Sequence, residues 1–344
     1  MTSPEIRDDP ITGHRVIVVP GRAARPNEHA TAPPAASQES GCPFCEGNEG
    51  KTPPELAVIA PPHRAPNSPG WFIRTIPNRF PTVEQDDSSF VPSGSSPGSP
   101  DFPREWAVGH HEVVIESPSH SPLLPFLPFE QVVRALSMCR DRVRHLSRQE
   151  RVGSVTLFEN TGPESGGSLW HPHAQLVTLP SLTPALEEEL EGIRRYCART
   201  GTACAQEQVA RAEARDGRRL LFDRDGLVGY SPFASEVPYE SRITSWRHAA
   251  SFGDLTDAEV ATVASHLIPL LQALLRLLPG ASYNLVVRNP VAEAAGGRDY
   301  HWHLDLRPRL VRPDGFDLGS GLAVNTVPPE LAAEALRSEM GAKR

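Results

Sequence analysis

The stretch Asn160-Thr-Gly-Pro-Glu-Ser-Gly-Gly-Ser-Leu-Trp-His-Pro-His-Ala-Gln-Leu-Val-Thr-Leu-Pro180 joins a glycine- and serine-rich loop to a segment with strand content. On extended backbone alternate side chains share a face, so His171, His173 and Gln175 point one way, while Pro172, Ala174 and Leu176 belong to the other. Two imidazoles and a carboxamide therefore converge on one site. Gly166, Gly167 and Ser168 let the backbone approach a phosphate closely and offer it N–H groups and a hydroxyl.

This arrangement suits attack on phosphorus. An imidazole nucleophile needs one free nitrogen lone pair, with the other nitrogen hydrogen-bonded to orient the ring and stabilise the cation formed on phosphorylation. His173 fits the attacking role, and Gln175 is placed to donate to a phosphoryl oxygen as charge develops there. The plainer reading is two histidines on a solvated strand face. The glutamine and the glycine loop beside them weigh against it.

Upstream, Gly41-Cys42-Pro-Phe-Cys45-Glu-Gly-Asn sets a Cys-x-x-Cys pair among turn residues. The chain has 5 cysteines and no second such pair. In a reducing compartment this points to Zn2+ rather than a disulfide, with the remaining ligands drawn from histidine. His120, in Glu116-Ser-Pro-Ser-His120-Ser-Pro, and His171 complete an expected set of Cys42, Cys45, His120 and His171. A closed zinc of this kind has no open position for water, so it holds geometry. Cys139 falls in an apolar-periodic run and is expected as a buried helix residue.

Working outward, residues 16–19 read as a short strand after a turn, and the segments 71–76, 111–116 and 153–158 also carry strand signals. Helical spacing of Val132, Val133, Leu136, Val143 and Leu146 predicts a helix within 128–150. The Pro/Ala/Ser-rich segment 30–40 reads as a loop, and the low-complexity segment 88–100 as a mobile surface loop. Thr183-Pro184 opens a further helix, a cap followed by a first-turn proline. Beyond it come strands at 219–222 and 227–230, a helix at 256–278, a strand at 283–287 and a second His-x-His segment. Both halves thus repeat one order, which suggests duplication, with domains expected at 1–181 and 182–344.

The chain of 344 residues, 39% hydrophobic, is long enough for two buried cores. A net charge of −8 offers no general attraction to nucleic acid or to an anionic membrane, so neither is an expected partner. No run of about 18 apolar residues occurs and the first residues lack a signal-peptide pattern, so a cytoplasmic location is expected.

The motifs together resemble one family. Arg7-Asp-Asp-Pro-Ile-Thr-Gly-His-Arg-Val-Ile-Val-Val-Pro-Gly-Arg22-Ala-Ala-Arg25-Pro, the Cys-Pro-Phe-Cys loop, Ile76-Pro-Asn78-Arg-Phe-Pro, Gly109-His-His-Glu-Val-Val-Ile-Glu-Ser-Pro-Ser-His120, His-Pro-His-x-Gln, Tyr300-His-Trp-His-Leu-Asp-Leu-Arg-Pro-Arg-Leu and Gly315-Phe-Asp317 follow the order found in galactose-1-phosphate uridylyltransferases. The resemblance implies an α+β fold of two histidine-triad-like halves, each an antiparallel sheet with packed helices. It also implies a ping-pong exchange of UMP through uridylyl-His173. UDP-glucose and galactose-1-phosphate would give UDP-galactose and glucose-1-phosphate.

By matching position, Gln175 and Ser168 contact phosphates, Asn160 supports the site, Arg22 and Arg25 face phosphate groups, and Asn78 lies near the nucleoside. The family shares its active site across a homodimer, with Asp317 and Asn325 reaching the hexose. Many relatives hold a second metal, of which Cys204, His248 and His301 are the remnants, with Cys197 or Glu207 as fourth ligand. Arg79 and Asp317 depart from residues common in the family, which leaves base and sugar open. His303 copies the spacing of His173 but has Asp305 in place of the glutamine and no Gly-Gly-Ser loop leading in, so one catalytic strand per chain is expected.

The same histidine chemistry also fits an adenylyl-sugar phosphorylase or a transferase for an unusual sugar phosphate. A histidine-triad hydrolase would carry a further histidine at position 175. A non-catalytic, zinc-stabilised nucleotide-binding module would make His173 dispensable.

Overall fold

One antiparallel sheet organises the chain, and β-branched, period-two segments supply its strands. The computed structural model describes residues 3–21, 41–85, 98–99, 101–104, 106–120, 123–291 and 300–341. Strands β1 (Glu5–Asp8) and β2 (Arg15–Val18) form a hairpin at the start. The first half then follows: β3 (Ala57–Ile59) and β4 (Ile73–Pro77) of the main sheet, the short pieces β5 (Glu84–Gln85), β6 (Gly98–Ser99), β7 (Phe102–Pro103) and β8 (Val108–Gly109), which pair as β5 with β8 and β6 with β7 outside it, and β9 (His111–Ile115) of the main sheet. Helix α1 (Phe129–Leu146), β10 (Ser154–Thr161) and β11 (His173–Leu179) complete it.

Two helices, α2 (Pro184–Thr200) and α3 (Ala205–Asp216), lead into the second half: β12 (Leu220–Arg224), β13 (Leu227–Tyr230), β14 (Ser241–Ser245), α4 (Asp257–Leu277), β15 (Tyr283–Pro290) and β16 (Leu304–Pro308). Beyond it lie a short helix, Gly315–Ser320, β17 (Ala323–Asn325) and a last helix, Pro329–Gly341. The segment 30–40 lies outside the described residues, as does 88–100 apart from Gly98–Ser99.

The 10-stranded sheet runs β12-β13-β14-β16-β15-β10-β11-β9-β4-β3. Outward from the central β10–β15 pair, each half presents its strands in the same connection order, with one long helix between its third and fourth strands. The central pairing is antiparallel, from Ser154 opposite Pro290 to Thr161 opposite Tyr283. The fold is therefore α+β, as expected. The expected boundary near 181 falls between β11 and α2. One sheet and its main core cross from one half to the other, and β2 pairs in parallel with β17.

Side chains alternate across this sheet. Val114, Ala174, Leu176, Val155, Leu157 and Trp302 enter the main core beneath α1 and α4. Val132, Leu136, Cys139, Val143 and Leu146 form the apolar stripe of α1, and Val260, Val263, Leu267, Leu270 and Leu274 that of α4. Cys139 is buried there, as its spacing predicted. Thr183 caps α2 through its side chain, and Thr256 and Glu259 form a reciprocal cap on α4. The opposite face of the sheet carries the histidines and a small cluster of Trp71, Ile76, Val113 and Ile115.

Candidate active site

Strand alternation sets the site. With Ala174 and Leu176 in the core, His173 and Gln175 must face the other side, and His171 meets Cys42 and Cys45 with its ring just before the strand begins. His173 is 5% exposed, and its Nδ1 lies 2.7 Å from the carbonyl oxygen of His171. A carbonyl only accepts, so Nδ1 carries the proton and Nε2 keeps its lone pair. Burial also lowers the His173 pKa, and the bond to His171 offsets part of that. A neutral ring with a defined tautomer and an open Nε2 is the form that attacks phosphorus.

The Cys-Pro-Phe-Cys loop packs against this ring. Gly41 and Gly47 take positive φ values of 99° and 89° at the turns that flank it. The Asn48 amide donates to the Cys42 carbonyl at 2.8 Å, and the Glu46 N–H donates to Pro118 O at 2.9 Å, which draws the loop onto the corner that carries His120. Phe44, between the cysteines, lies edge-on to His173 with ring centroids 5.2 Å apart.

The ligand atoms of Cys42, Cys45, His120 and His171 all lie within 4.8 Å of one another. His171 Nδ1 is 3.7 Å from each sulfur, and His120 Nδ1 is 3.6 Å from Cys45 Sγ. Zinc bonds of about 2.0 Å to nitrogen and about 2.3 Å to sulfur at tetrahedral angles place N and S about 3.5 Å apart, so the donors suit such an ion. His171 Nε2 donates to Ser117 O at 2.7 Å, leaving Nδ1 as the ligand. Burial holds its pKa down at about 4.

Gln175 sits in a polar network. His111 Nδ1 accepts from the Thr82 N–H at 3.0 Å, and His111 Nε2 lies 2.9 Å from Gln175 Oε1. The Asn78 side-chain amide reaches the same oxygen at 3.4 Å, and Asn78 Oδ1 accepts from the Phe80 N–H. Asn160 accepts from Asn284 Nδ2 at 2.7 Å, and Asn284 also donates to the Ser165 carbonyl at 2.9 Å. That residue therefore ties β10 to the glycine loop, where Gly166 has φ +87° and Ser168 is exposed.

Sequence reasoning did not single out His111, Phe44 or Asn284. Asn284 stands directly opposite Asn160 in the β10–β15 register, a pairing invisible without the fold. The other two had local signals: His111 opens a strand, and Phe44 is the aromatic residue between the cysteines.

The second half repeats the geometry with different neighbours. His303 Nδ1 lies 3.2 Å from His301 O, repeating the first half, but Nε2 faces the Glu189 carboxylate at 3.4 Å. Arg242 clamps Asp305 through contacts of 2.7 and 2.9 Å and holds its pKa low despite burial. A phosphate nearing His303 would meet the Glu189 and Asp305 carboxylates, while Gly296 and Gly297 lie outside the described residues. The ligand atoms of Cys204, His248 and His301 also lie within 4.8 Å of one another, while Cys197 and Glu207 stand outside that group. The Glu207 carboxylate pairs with Arg211 at 2.6 Å.

Of the remaining expected residues, Arg22 and Arg25 lie outside the described residues. Asp317 sits in the first turn of Gly315–Ser320, where Oδ2 accepts from the Asp314 N–H at 2.8 Å. Asn325 differs from expectation. It is buried in its own chain, its amide donating to Ser235 O at 2.9 Å and its oxygen accepting from Val327 N–H, so it does not reach outward to a hexose.

A family model described as galactose-1-phosphate uridyl transferase, N-terminal domain, matches residues 1–183. The chain is 30% identical over 342 residues to an ADP-glucose phosphorylase of Arabidopsis thaliana, covering 97% of this chain and 93% of that one. It is 26% identical to a galactose-1-phosphate uridylyltransferase of Thermotoga maritima, covering 97% and 98%. Among solved structures, an Arabidopsis thaliana ADP-glucose phosphorylase with bound ADP-glucose matches with a TM-score of 0.79 and 28% identity over 98% of each chain. A uridylyltransferase matches with a TM-score of 0.72 and 26% identity, also over 98% of each. Since these similarities run through both histidine-triad-like halves, the chain belongs to the galactose-1-phosphate uridyl transferase family and is a nucleotidyltransferase.

Proposed function

We propose that this chain transfers a nucleotidyl group from a nucleoside-diphosphate sugar to a phosphate-bearing acceptor through a covalent intermediate on His173. The observation that carries this is the 2.7 Å bond from His173 Nδ1 to the His171 carbonyl, which leaves Nε2 as the only basic nitrogen of a buried ring. The Nε2 lone pair attacks the α-phosphorus, an N–P bond forms, and the bond from the α-phosphorus to the bridging oxygen breaks. The leaving sugar 1-phosphate takes that electron pair. The Nδ1 proton stays on the ring, and the His171 carbonyl stabilises the positive charge it then carries. A phosphate oxygen of the acceptor attacks the same phosphorus, the N–P bond breaks, and the neutral imidazole returns.

The amide of Gln175, the Ser168 hydroxyl and the loop N–H groups donate to the phosphoryl oxygens. Zinc bound by Cys42, Cys45, His120 and His171 would supply structural rigidity, holding the His171 carbonyl where it orients His173. Arg22, Arg25 and Asn78 are assigned to phosphate and nucleoside recognition, and Asp317 to the hexose across a homodimer. The segment around Asp317 exposes Leu310, Val311, Phe316 and Leu318, which suits burial against a second copy.

The principal reading of the reaction is exchange of UMP between UDP-hexose and hexose-1-phosphate. A second reading, phosphorolysis of ADP-glucose, is favoured by the 30% identity to the Arabidopsis thaliana phosphorylase. Intact-protein mass spectrometry after incubation with UDP-glucose and, separately, ADP-glucose tests both. A uridylyl or adenylyl adduct names the donor, and His173→Gly must abolish it. Absence of any adduct on the wild-type chain overturns the transferase reading.

A further inference from the structure

We propose that His111 is a positioning residue for nucleotidyl transfer: it locks the Gln175 carboxamide with its oxygen turned away from the substrate and its NH2 turned toward the phosphoryl group. The inference rests on the transferase reading and extends it to a residue outside the His-x-His-x-Gln strand.

A carboxamide has two orientations of nearly equal shape and opposite polarity, and only the surrounding hydrogen bonds choose between them. The choice matters here. An NH2 facing the phosphoryl oxygens stabilises the charge gathering on them, whereas a carbonyl oxygen in the same place repels it.

The neighbours of Gln175 settle the orientation in sequence. The Thr82 backbone N–H can only donate, and it lies 3.0 Å from His111 Nδ1, so Nδ1 is the acceptor. A neutral imidazole then carries its proton on Nε2, and Nε2 lies 2.9 Å from the side-chain oxygen of Gln175. Asn78 Nδ2, whose own amide is oriented by accepting the Phe80 N–H on Oδ1, lies 3.0 Å from His111 Nε2 and 3.4 Å from the same Gln175 oxygen; with Nδ1 of His111 taken by Thr82, both nitrogens carry protons and only Oε1 is left to accept them. Two donors converge on Oε1, leaving the NH2 for the substrate. Burial lowers the His111 pKa and keeps the ring in this neutral, directional form.

The sheet supplies the reach. Val113 stands opposite Gln175 and His111 opposite Val177, so His111 meets Gln175 on the diagonal of an antiparallel pair, on the face that carries His173. The chain of command runs from a backbone N–H of the Asn78–Thr82 turn, through an imidazole, to an amide beside the nucleophile.

The test is a substitution series read by single-turnover formation of the nucleotidyl-protein, with donor affinity measured separately on a His173→Gly background. His111→Leu frees the amide and is expected to slow adduct formation ~10-fold, with donor affinity changed less than ~2-fold. His111→Glu presents an acceptor, turns the NH2 of Gln175 toward itself and its oxygen toward phosphorus, and is expected to slow the step ~100-fold. His111→Gln keeps a donor within reach and should recover most of the rate lost in His111→Leu. In a Gln175→Ala background, His111→Leu should add less than ~3-fold, because the amide it orients is gone.

Equal losses in His111→Leu and His111→Glu, or the same loss with and without Gln175, overturn the proposal and leave His111 a structural residue. Should His111→Glu unfold the chain, the comparison of His111→Leu with His111→Gln decides, equal rates overturning it. If the wild-type chain forms no adduct with any sugar nucleotide, the transferase reading falls first and this inference with it. An adduct that forms at the same rate in every His111 variant sinks the inference alone.

Discussion

Replacing Gly167 by alanine asks whether the phosphate loop is shaped by contact with β10. A Cβ at position 167 would fall 2.9 Å from the Asn160 carbonyl oxygen, against 3.4 Å for ordinary contact. The gap must therefore open by about 0.5 Å. Asn160 is poorly placed to yield, because β10 is paired on both edges and Asn160 itself stands in register with Asn284 of β15. The loop moves instead.

Overpacking of this kind costs ~1–3 kcal/mol, and the lower end applies because the loop is partly open to solvent. A 1 Å misplacement of a positioning group costs on the order of 100-fold in rate, so half of that predicts ~10-fold slower adduct formation at saturating donor. Gly166→Ala is the informative partner. Its Cβ meets nothing within 4 Å, but φ is +87°, so its cost is backbone strain of ~1–2 kcal/mol. Rapid-quench single turnovers with intact-mass detection, paired with denaturant melts, measure both quantities. If Gly167→Ala keeps a rate within ~2-fold of wild type, the close approach does not position the loop and the reasoning fails.

Asn284→Ala removes the donor for both Asn160 Oδ1 and the Ser165 carbonyl, with an expected loss of ~1–2 kcal/mol in urea denaturation and a higher KM for donor; unchanged KM argues against a role in holding the loop. Cys42→Ser should lower bound zinc, measured by elemental analysis, by about one ion per chain and reduce the melting temperature, while unchanged metal content removes the assigned ligand set. Glu159, buried with Glu116, has its pKa raised by burial from 4.5 to about 7. Well below pH 4.5 it is protonated folded and unfolded alike; as pH rises from there the unfolded carboxyl ionises first, so the folded state loses stability progressively until the folded carboxyl itself ionises near 7. Glu159→Gln should therefore raise the melting temperature at pH 8 and make little difference at pH 4; a constant difference across that range refutes the assignment.

Much of the site was legible in the chain because its logic is local. Alternation along a strand put His171, His173 and Gln175 on one face whatever the strand packs against, and a tight Cys-x-x-Cys among turn residues set two thiols close enough to share a metal. The caps of α2 and α4 were equally local, since Thr183 and Thr256 bond backbone within one turn. By contrast, β1, β3, β14, β17, α3 and the two last helices carried no reading beforehand.

Sequence by itself determined that His171, His173 and Gln175 share one face, that Cys42 and Cys45 sit together in one tight loop, and that strand and helix repeat twice, because periodicity and spacing are properties of consecutive residues. Tertiary structure alone decided that the two repeats share one sheet through β10 and β15, that Asn284 braces the glycine loop, and that Asn325 turns inward. It also decided which nitrogen of His173 is free and which end of Gln175 meets His111. Those last two are questions of hydrogen-bond direction, set by carbonyls and N–H groups that the fold brings together from distant points of the chain.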